Sequence, residues 1–341
     1  MSVLSKPGPH NHICDVSGIA VGHAHAARVG TGASVVLPAA RAVAAVDSRG
    51  GGPGTRETDA LAPDTLVDAV DAIVLSGGSS YGLAAASGVT DWLGARGRGF
   101  GLEEAAPVAP VVPAAILYDL TNGGDKSWGE TSPYDSLGRA AVAAAAHSPS
   151  DYSLGTLGAG YGAQAGRLKG GLGSASTVTD GGLQVAALMA VNSFGAVVMP
   201  GTACFWAWPF ERNREFGGRG APADFDLGPD LWRGTKNHSV PGQNTTIGVV
   251  ATNAALTPAQ ARRVAVMAQD GMARSIRPVH SPLDGDTLFV LATGVKALDA
   301  PEFMALTHLG ALAADCVARA IARAVFEARS LFRMQAYGDL S

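Results

Sequence analysis

The feature that most constrains this chain is the alternation of short apolar runs with segments of helical period. Apolar runs of strand length lie at 33–37, 42–46, 72–75, 185–191, 196–199, 246–251 and 287–292. Between and after them, patterns that predict helices cover 81–93, 138–146, 258–275 and 301–331. Strands interleaved with helices in this way require a layered α/β architecture, because each element has an apolar face that only another layer can cover. The third helix has a readable start. Thr257 is a good N-cap, Pro258 suits the first helical position and Gln260 completes a capping box. Val264, Met267, Ala268 and Met272 then fall on one face.

Length and composition narrow the class. A chain of 341 residues has room for one large domain or two closely packed ones. It is 47% hydrophobic and 16% charged, with a mean hydropathy of +0.17, which suits a compact body with much buried surface. A net charge of −4 offers no bulk field for phosphate backbones or anionic lipid, so neither nucleic acid nor membrane is an expected partner. No apolar run is long enough to span a bilayer, and the amino terminus lacks the apolar stretch of a signal peptide. Cys14, Cys204 and Cys316 are isolated from one another in sequence and read as reduced thiols. The expectation is a soluble cytoplasmic protein. Its Ala/Gly-rich, weakly charged composition also suits a homo-oligomer.

Glycine clusters at 49–54, 77–78, 155–162 and 170–173 mark places where backbone must approach backbone or ligand closely. The least regular stretch, 206–243, is rich in Arg, Asn, Gly, Pro and Asp and reads as a long surface loop. It runs into Gly-Gln-Asn244-Thr245-Thr-Ile-Gly, where strand-like sequence resumes. A flexible polar tract feeding a buried strand is a place where a chain can be cut without losing its fold. Threonine is a weak nucleophile unless a base adjoins its hydroxyl. At a new amino terminus its own α-amine, with a reference pKa of about 7.7–8.0, supplies that base. The same hydroxyl can create the terminus by attacking the carbonyl of Asn244. The plainer reading of the segment is two β-branched residues opening a strand.

Eight motifs, in order along nearly the whole chain, set the context. They are Asp15-Val-Ser-Gly-Ile-Ala-Val-Gly-His23, Arg49-Gly-Gly-Gly-Pro-Gly-Thr-Arg-Glu-Thr-Asp59, Leu75-Ser-Gly-Gly-Ser-Ser-Tyr-Gly-Leu83 and Pro110-Val-Val-Pro-Ala-Ala-Ile-Leu-Tyr-Asp119. Then follow Gly158-Ala-Gly-Tyr-Gly-Ala163, Lys169-Gly-Gly-Leu-Gly173, Asn244-Thr-Thr-Ile-Gly248 and Asp284-Gly-Asp-Thr-Leu-Phe289. Together they resemble the L-aminopeptidase/D-esterase (DmpA-like) family, which includes β-peptidyl aminopeptidases and nylon-oligomer hydrolases. The resemblance implies a four-layer αββα sandwich of the N-terminal-nucleophile-hydrolase kind. It also implies a single domain cut into residues 1–244 and 245–341, and a homo-oligomer, a tetramer of such two-piece protomers.

The resemblance further implies roles for residues. Thr245 is the nucleophile. Asn192 turns its side-chain amide to the oxyanion, a contribution of about 2.7–4 kcal/mol to the barrier where such donors have been removed; by itself it reads as a turn asparagine. Asp284 and Asp286 orient or charge-balance the new ammonium, although Asp-Gly alone reads as a hairpin turn. Tyr118 lies near the site, or is simply a half-buried strand aromatic. Lys169 is the nearby cation. In the nylon-hydrolase branch the lysine follows Ala-Gly, and here Ala165-Gly166 is followed by Arg167, which cannot shuttle protons; Lys169 is preferred to it.

No cofactor or metal is expected. Gly77, Gly78 and Ser79 before a helix suggest a phosphate site but lack the Lys-Ser/Thr that would follow. The pairs His10/His12 and His23/His25 lack suitably spaced acidic or cysteine partners, the first in a terminus read as loose and the second explained as strand neighbours. The expected activity is hydrolysis of an amide in a small or unusual peptide by an aminopeptidase. Alternatives are an endo-amidase for 6-aminohexanoate oligomers, an acyltransferase using the same threonine, and a non-catalytic assembly protein retaining the fold.

Overall fold

The structure, a computed structural model, describes residues 4–101, 103, 106–147, 152–230, 232–236 and 244–340. Its main elements are β1 (Ile19–Ala26), β2 (Thr31–Pro38), β3 (Val43–Ser48), β4 (Ile73–Ser76), α1 (Ala84–Gly94), β5 (Ala114–Ile116) and α2 (Tyr134–His147). The chain continues with β6 (Gly171–Thr179), β7 (Gln184–Asn192), β8 (Thr245–Ala254), α3 (Pro258–Ala273), β9 (Thr287–Lys296) and α4 (Glu302–Phe326). One sheet has the order Ser5–Lys6, β6, β7, β8, β9, β3, antiparallel except for β8 and β9, which α3 joins in parallel. The other has the order β1, β2, β4, β5, Thr55–Arg56, with β4 and β5 parallel.

Side-chain alternation assigns the layers. Along β8, Ile247, Val249 and Ala251 join Leu188, Ala190, Val36, Leu75 and Phe289 in a core between the two sheets. Val250 and Ala254 face the other way, onto a core shared with α3 and α4. Ala33, Val35 and Leu37 of β2 turn outward to α1 and α2. Both faces of both sheets are therefore covered, giving the four-layer αββα sandwich. Each fully buried Val, Leu or Ile contributes on the order of 1.5–3 kcal/mol. Gly173 shows why the composition favours small residues: a Cβ there would lie 2.0 Å from Ala320 O, so α4 rests directly on β6 backbone. The Thr257–Gln260 capping box forms as expected.

Several expectations need correction. The run 196–199 is not a sheet strand; it makes only isolated bridges, from Ala196 to Arg277 and from Val198 to Phe205, because its backbone pairs with neighbouring loops. The last helix ends at Phe326, and Arg329 N and O both bond the Thr156 hydroxyl at 2.9 Å, which draws the chain off the helical path. β1 carries His23 and His25 as strand neighbours, as read, while β6 is a strand the sequence did not announce, since Gly-Leu-Gly-Ser-Ala-Ser-Thr-Val-Thr hides its alternation among small residues. The segment that holds His10 and His12 is not loose: His12 is buried and caps the turn Ile13–Asp15, accepting from Cys14 N.

The described part of 206–243 is also more than a surface loop. Phe216 is buried against Phe205, and Glu215 meets the buried Arg319 of α4 at 2.5 Å. Residues 231 and 237–243 of that stretch lie outside the described residues. No helix among the described residues is long and apolar enough to cross a membrane.

Candidate active site

Antiparallel register places Asn192, the last residue of β7, directly opposite Thr245, the first of β8. Alternation from Leu188 and Ala190 on one strand and Ile247 and Val249 on the other turns both side chains into the layer between the sheets. Thr245 is 2% exposed. Its hydroxyl donates to the carbonyl oxygen of Asn244, the residue before it. That oxygen also accepts from Gly285 N at 2.8 Å. Gly285 has to be glycine, since a Cβ would stand 2.7 Å from both Thr245 Oγ1 and Gly52 O.

The acidic pair flanks this peptide bond. Asp284 Oδ1 accepts from Phe194 N at 3.2 Å, and its Oδ2 accepts from Ser281 N and Oγ at 3.0 and 2.5 Å. Asp286 Oδ1 accepts from Thr246 N at 2.8 Å, while Oδ2 meets His280 N at 3.1 Å and Nδ1 at 2.9 Å. Burial, and then the neighbouring charge of Asp286, raise the pKa of Asp284 above the usual carboxylate value. The Asp-Gly step is not a hairpin turn: it enters β9, and β9 runs parallel to β8 with Asn244 bridged to Asp284. The glycine-rich loop 49–54 closes this end, with Gly52 N donating to Asp284 O at 2.8 Å and Arg49 N to Asp286 O at 3.0 Å.

Asn192 has a fixed amide orientation. Its Oδ1 accepts from Gln164 N at 2.9 Å, Lys236 Nζ at 3.1 Å and Asn122 Nδ2 at 3.2 Å. Its Nδ2 donates to the Tyr118 carbonyl at 2.9 Å. What Tyr118 brings to Asn192 is thus its backbone oxygen; its side chain is half-buried.

Lys169 is completely buried, and Nζ reaches three carbonyl oxygens, Gly170 at 2.8 Å, Ala163 at 2.9 Å and Gly160 at 3.1 Å. Burial lowers its pKa to about 7, with Asp119 opposing the shift. Three acceptors suit an ammonium, so hydrogen bonding and desolvation pull in opposite directions. Lys169 braces the turn that offers Gln164 N to Asn192. Arg167 is exposed.

Lys236 escaped the sequence reading. It donates to Asn192 O at 3.0 Å as well as to Oδ1, and burial lowers its pKa to about 7 against the pull of Asp284. One signal was available. The chain has only five lysines, Lys6, Lys126, Lys169, Lys236 and Lys296, and one of them lies just ahead of Asn244-Thr245.

The remaining candidates have structural explanations. Gly78 N is bonded by Asp119 Oδ1 at 2.8 Å, so a carboxylate already occupies the place a phosphate would take. His23 shares a 2.8 Å bond between Nδ1 and Ser34 Oγ, with burial lowering its pKa to about 3, and His25 stacks on Tyr161 at 4.4 Å.

Comparison with known proteins adds three findings. A family profile described as Peptidase family S58 matches residues 11–336. An uncharacterized aminopeptidase of Mycobacterium tuberculosis is 44% identical over 97% of this chain and 98% of its own, and a 6-aminohexanoate-oligomer endohydrolase of Paenarthrobacter ureafaciens is 32% identical over 82% and 74%. The solved structure of an L-aminopeptidase D-Ala-esterase/amidase from Ochrobactrum anthropi, described as a variant of the Ntn hydrolase fold, superposes with a TM-score of 0.67 at 20% identity, covering 96% of this chain and 89% of that one, and so shares the fold.

Proposed function

Because this chain belongs to peptidase family S58, we propose that it is an aminopeptidase that cuts its own chain after Asn244 and then uses Thr245 as its nucleophile. The observation that carries this reading is the geometry around one peptide bond. The Thr245 hydroxyl bonds to the Asn244 carbonyl, and Gly285 N–H holds that carbonyl oxygen at 2.8 Å. When Oγ1 adds to the Asn244 carbonyl carbon, negative charge grows on an oxygen that already has a backbone donor. Collapse breaks the C–N bond as the proton lost from Oγ1 passes to the Thr245 nitrogen, which leaves Asn244 as an ester on Oγ1 and frees the Thr245 amine. Water then hydrolyses the ester.

In the cut protein the amine takes the hydroxyl proton as Oγ1 attacks a substrate amide. Asn192, facing Thr245 across the β7–β8 pair, supplies an N–H to the oxyanion. The leaving amine departs with a proton, and water releases the acyl group from Oγ1. Asp284 and Asp286 balance the charge of the new ammonium. The relatives named aminopeptidase match almost the full length of both chains, which favours release of an amino-terminal residue from a small peptide. The 6-aminohexanoate-oligomer relative supports a second reading, an endo-amidase for such oligomers.

On a denaturing gel the purified protein should run as two pieces, residues 1–244 and 245–341, roughly 25 and 10 kDa by proportion of length. The smaller should begin Thr-Thr-Ile-Gly-Val, and Thr245→Ala should remain one inactive chain. An active wild-type protein that stays uncut would overturn this reading. Turnover of aminoacyl amides set against 6-aminohexanoate oligomers decides between the two substrate classes. A tetramer of two-piece protomers in the cytoplasm is the accompanying expectation, tested by light scattering and fractionation.

A further inference from the structure

Lys236 is an ionisable group in contact with Asn192 that the mechanism above leaves without a task. An asparagine amide has an acceptor edge and a donor edge and can present either by rotating half a turn. At Asn192 the choice is made by the donors around Oδ1, Gln164 N at 2.9 Å, Asn122 Nδ2 at 3.2 Å and Lys236 Nζ at 3.1 Å. Rotation would set an NH2 group against three donors. Lys236 is the only one of these three that can carry charge, and when protonated it makes the charge-assisted bond of the set. It also draws electron density from the amide and strengthens Nδ2 as a donor.

Lys236 is itself held at both ends. Its backbone N donates to Phe194 O at 3.0 Å, and Nζ bonds Asn192 O as well as Oδ1. Phe194 N in turn donates to Asp284. The lysine therefore spans the end of β7 from 192 to 194 and sits between the oxyanion donor and the acidic pair.

Building on the proposed function, we propose that Lys236 is a positioning residue that holds the Asn192 amide with its N–H edge toward the reacting carbonyl, both for self-cleavage and for turnover. It acts from the segment that self-cleavage converts into the carboxyl-terminal tail of the large piece.

The test uses the full-length protein with Lys236→Met and Lys236→Arg, assayed on an aminoacyl p-nitroanilide, with each rate referred to the amount of cut chain. Lys236→Met should lower kcat about tenfold or more with KM within about twofold, a pattern of lost transition-state stabilisation. It should also slow the appearance of the two pieces. Lys236→Arg, which keeps a charged donor, should recover part of both. Wild-type kcat in Lys236→Met would overturn the proposal, as would equal losses in the Met and Arg variants. Thr245→Ala is run in parallel. If that variant is still cut and active, the nucleophile assignment fails. If it is inert while Lys236→Met behaves as wild type, only the role of Lys236 fails.

Discussion

The amide nitrogen of Gly285 donates to the carbonyl oxygen of Asn244 at 2.8 Å, on the very peptide group that the Thr245 hydroxyl faces. Asn244 and Gly285 lead into the parallel strands β8 and β9, and the bond forms beside a bridge between Asn244 and Asp284, three residues ahead of the first regular pair. The end of two interior strands thereby polarises a bond of the sheet's own backbone.

The first prediction follows from that contact. Gly285→Ala would place a methyl group 2.7 Å from Thr245 Oγ1 if nothing moved. The hydroxyl has to turn away or the loop has to shift, and either change spoils the attack. The variant should accumulate as a folded, uncut chain, visible as one band on a denaturing gel. Normal two-piece maturation would show that the contact has no part in cleavage.

Asn192→Ala removes the side-chain donor opposite the nucleophile. Loss of one such donor lowers kcat about 10²–10³-fold with little change in KM. A folded, cut variant with ordinary kcat would return Asn192 to a structural role at the end of β7.

Asp286 accepts from Thr246 N and from His280 N and Nδ1. Asp286→Ala leaves the buried Thr246 N–H without its partner, a cost of about 1–3 kcal/mol, and should lower the melting temperature. Asp286→Asn keeps an acceptor oxygen but removes the charge. Its one oxygen can serve Thr246 N only by turning the NH2 toward His280 N, so it should melt below wild type as well, while maturing and turning over on the order of tenfold more slowly, since the charge near the reacting groups is lost. Equal maturation and turnover in Asp286→Asn would leave Asp286 as a bracing residue only.

The buried Lys169 predicts a pH dependence of stability. Burial lowers its folded pKa from 10.5 to about 7. Between those values the unfolded chain holds a proton that the folded chain lacks, so stability rises with pH through the window, and the penalty is fully present below it. Urea unfolding of uncut Thr245→Ala should therefore gain stability from pH 7 to 9.5 relative to Thr245→Ala/Lys169→Met. Lys236 and every other group are common to both proteins and cancel in the difference. Parallel pH profiles would count against a neutral Lys169 in the folded chain.

What the sequence determined by itself is the information carried by near neighbours. The period of the apolar residues specifies β8 and its helical surroundings. Thr257, Pro258 and Gln260 set the start of α3 within four residues. The step from a polar tract into an apolar strand singles out Asn244-Thr245, the eight motifs hold Lys169, Asp284 and Asp286, and the family resemblance that they carry adds Asn192. Tertiary structure decided what these residues do to one another. Asn192 meets Asn122 across 70 positions of chain and Lys236 across 44, and Asp286 reaches Thr246 across 40. Such bonds leave no periodic trace, because their geometry is set by sheet register and not by spacing along the chain. A tertiary reason also hid β6. Its glycines and alanines look weak as local strand formers, yet a helix resting at backbone distance makes small side chains the ones that fit.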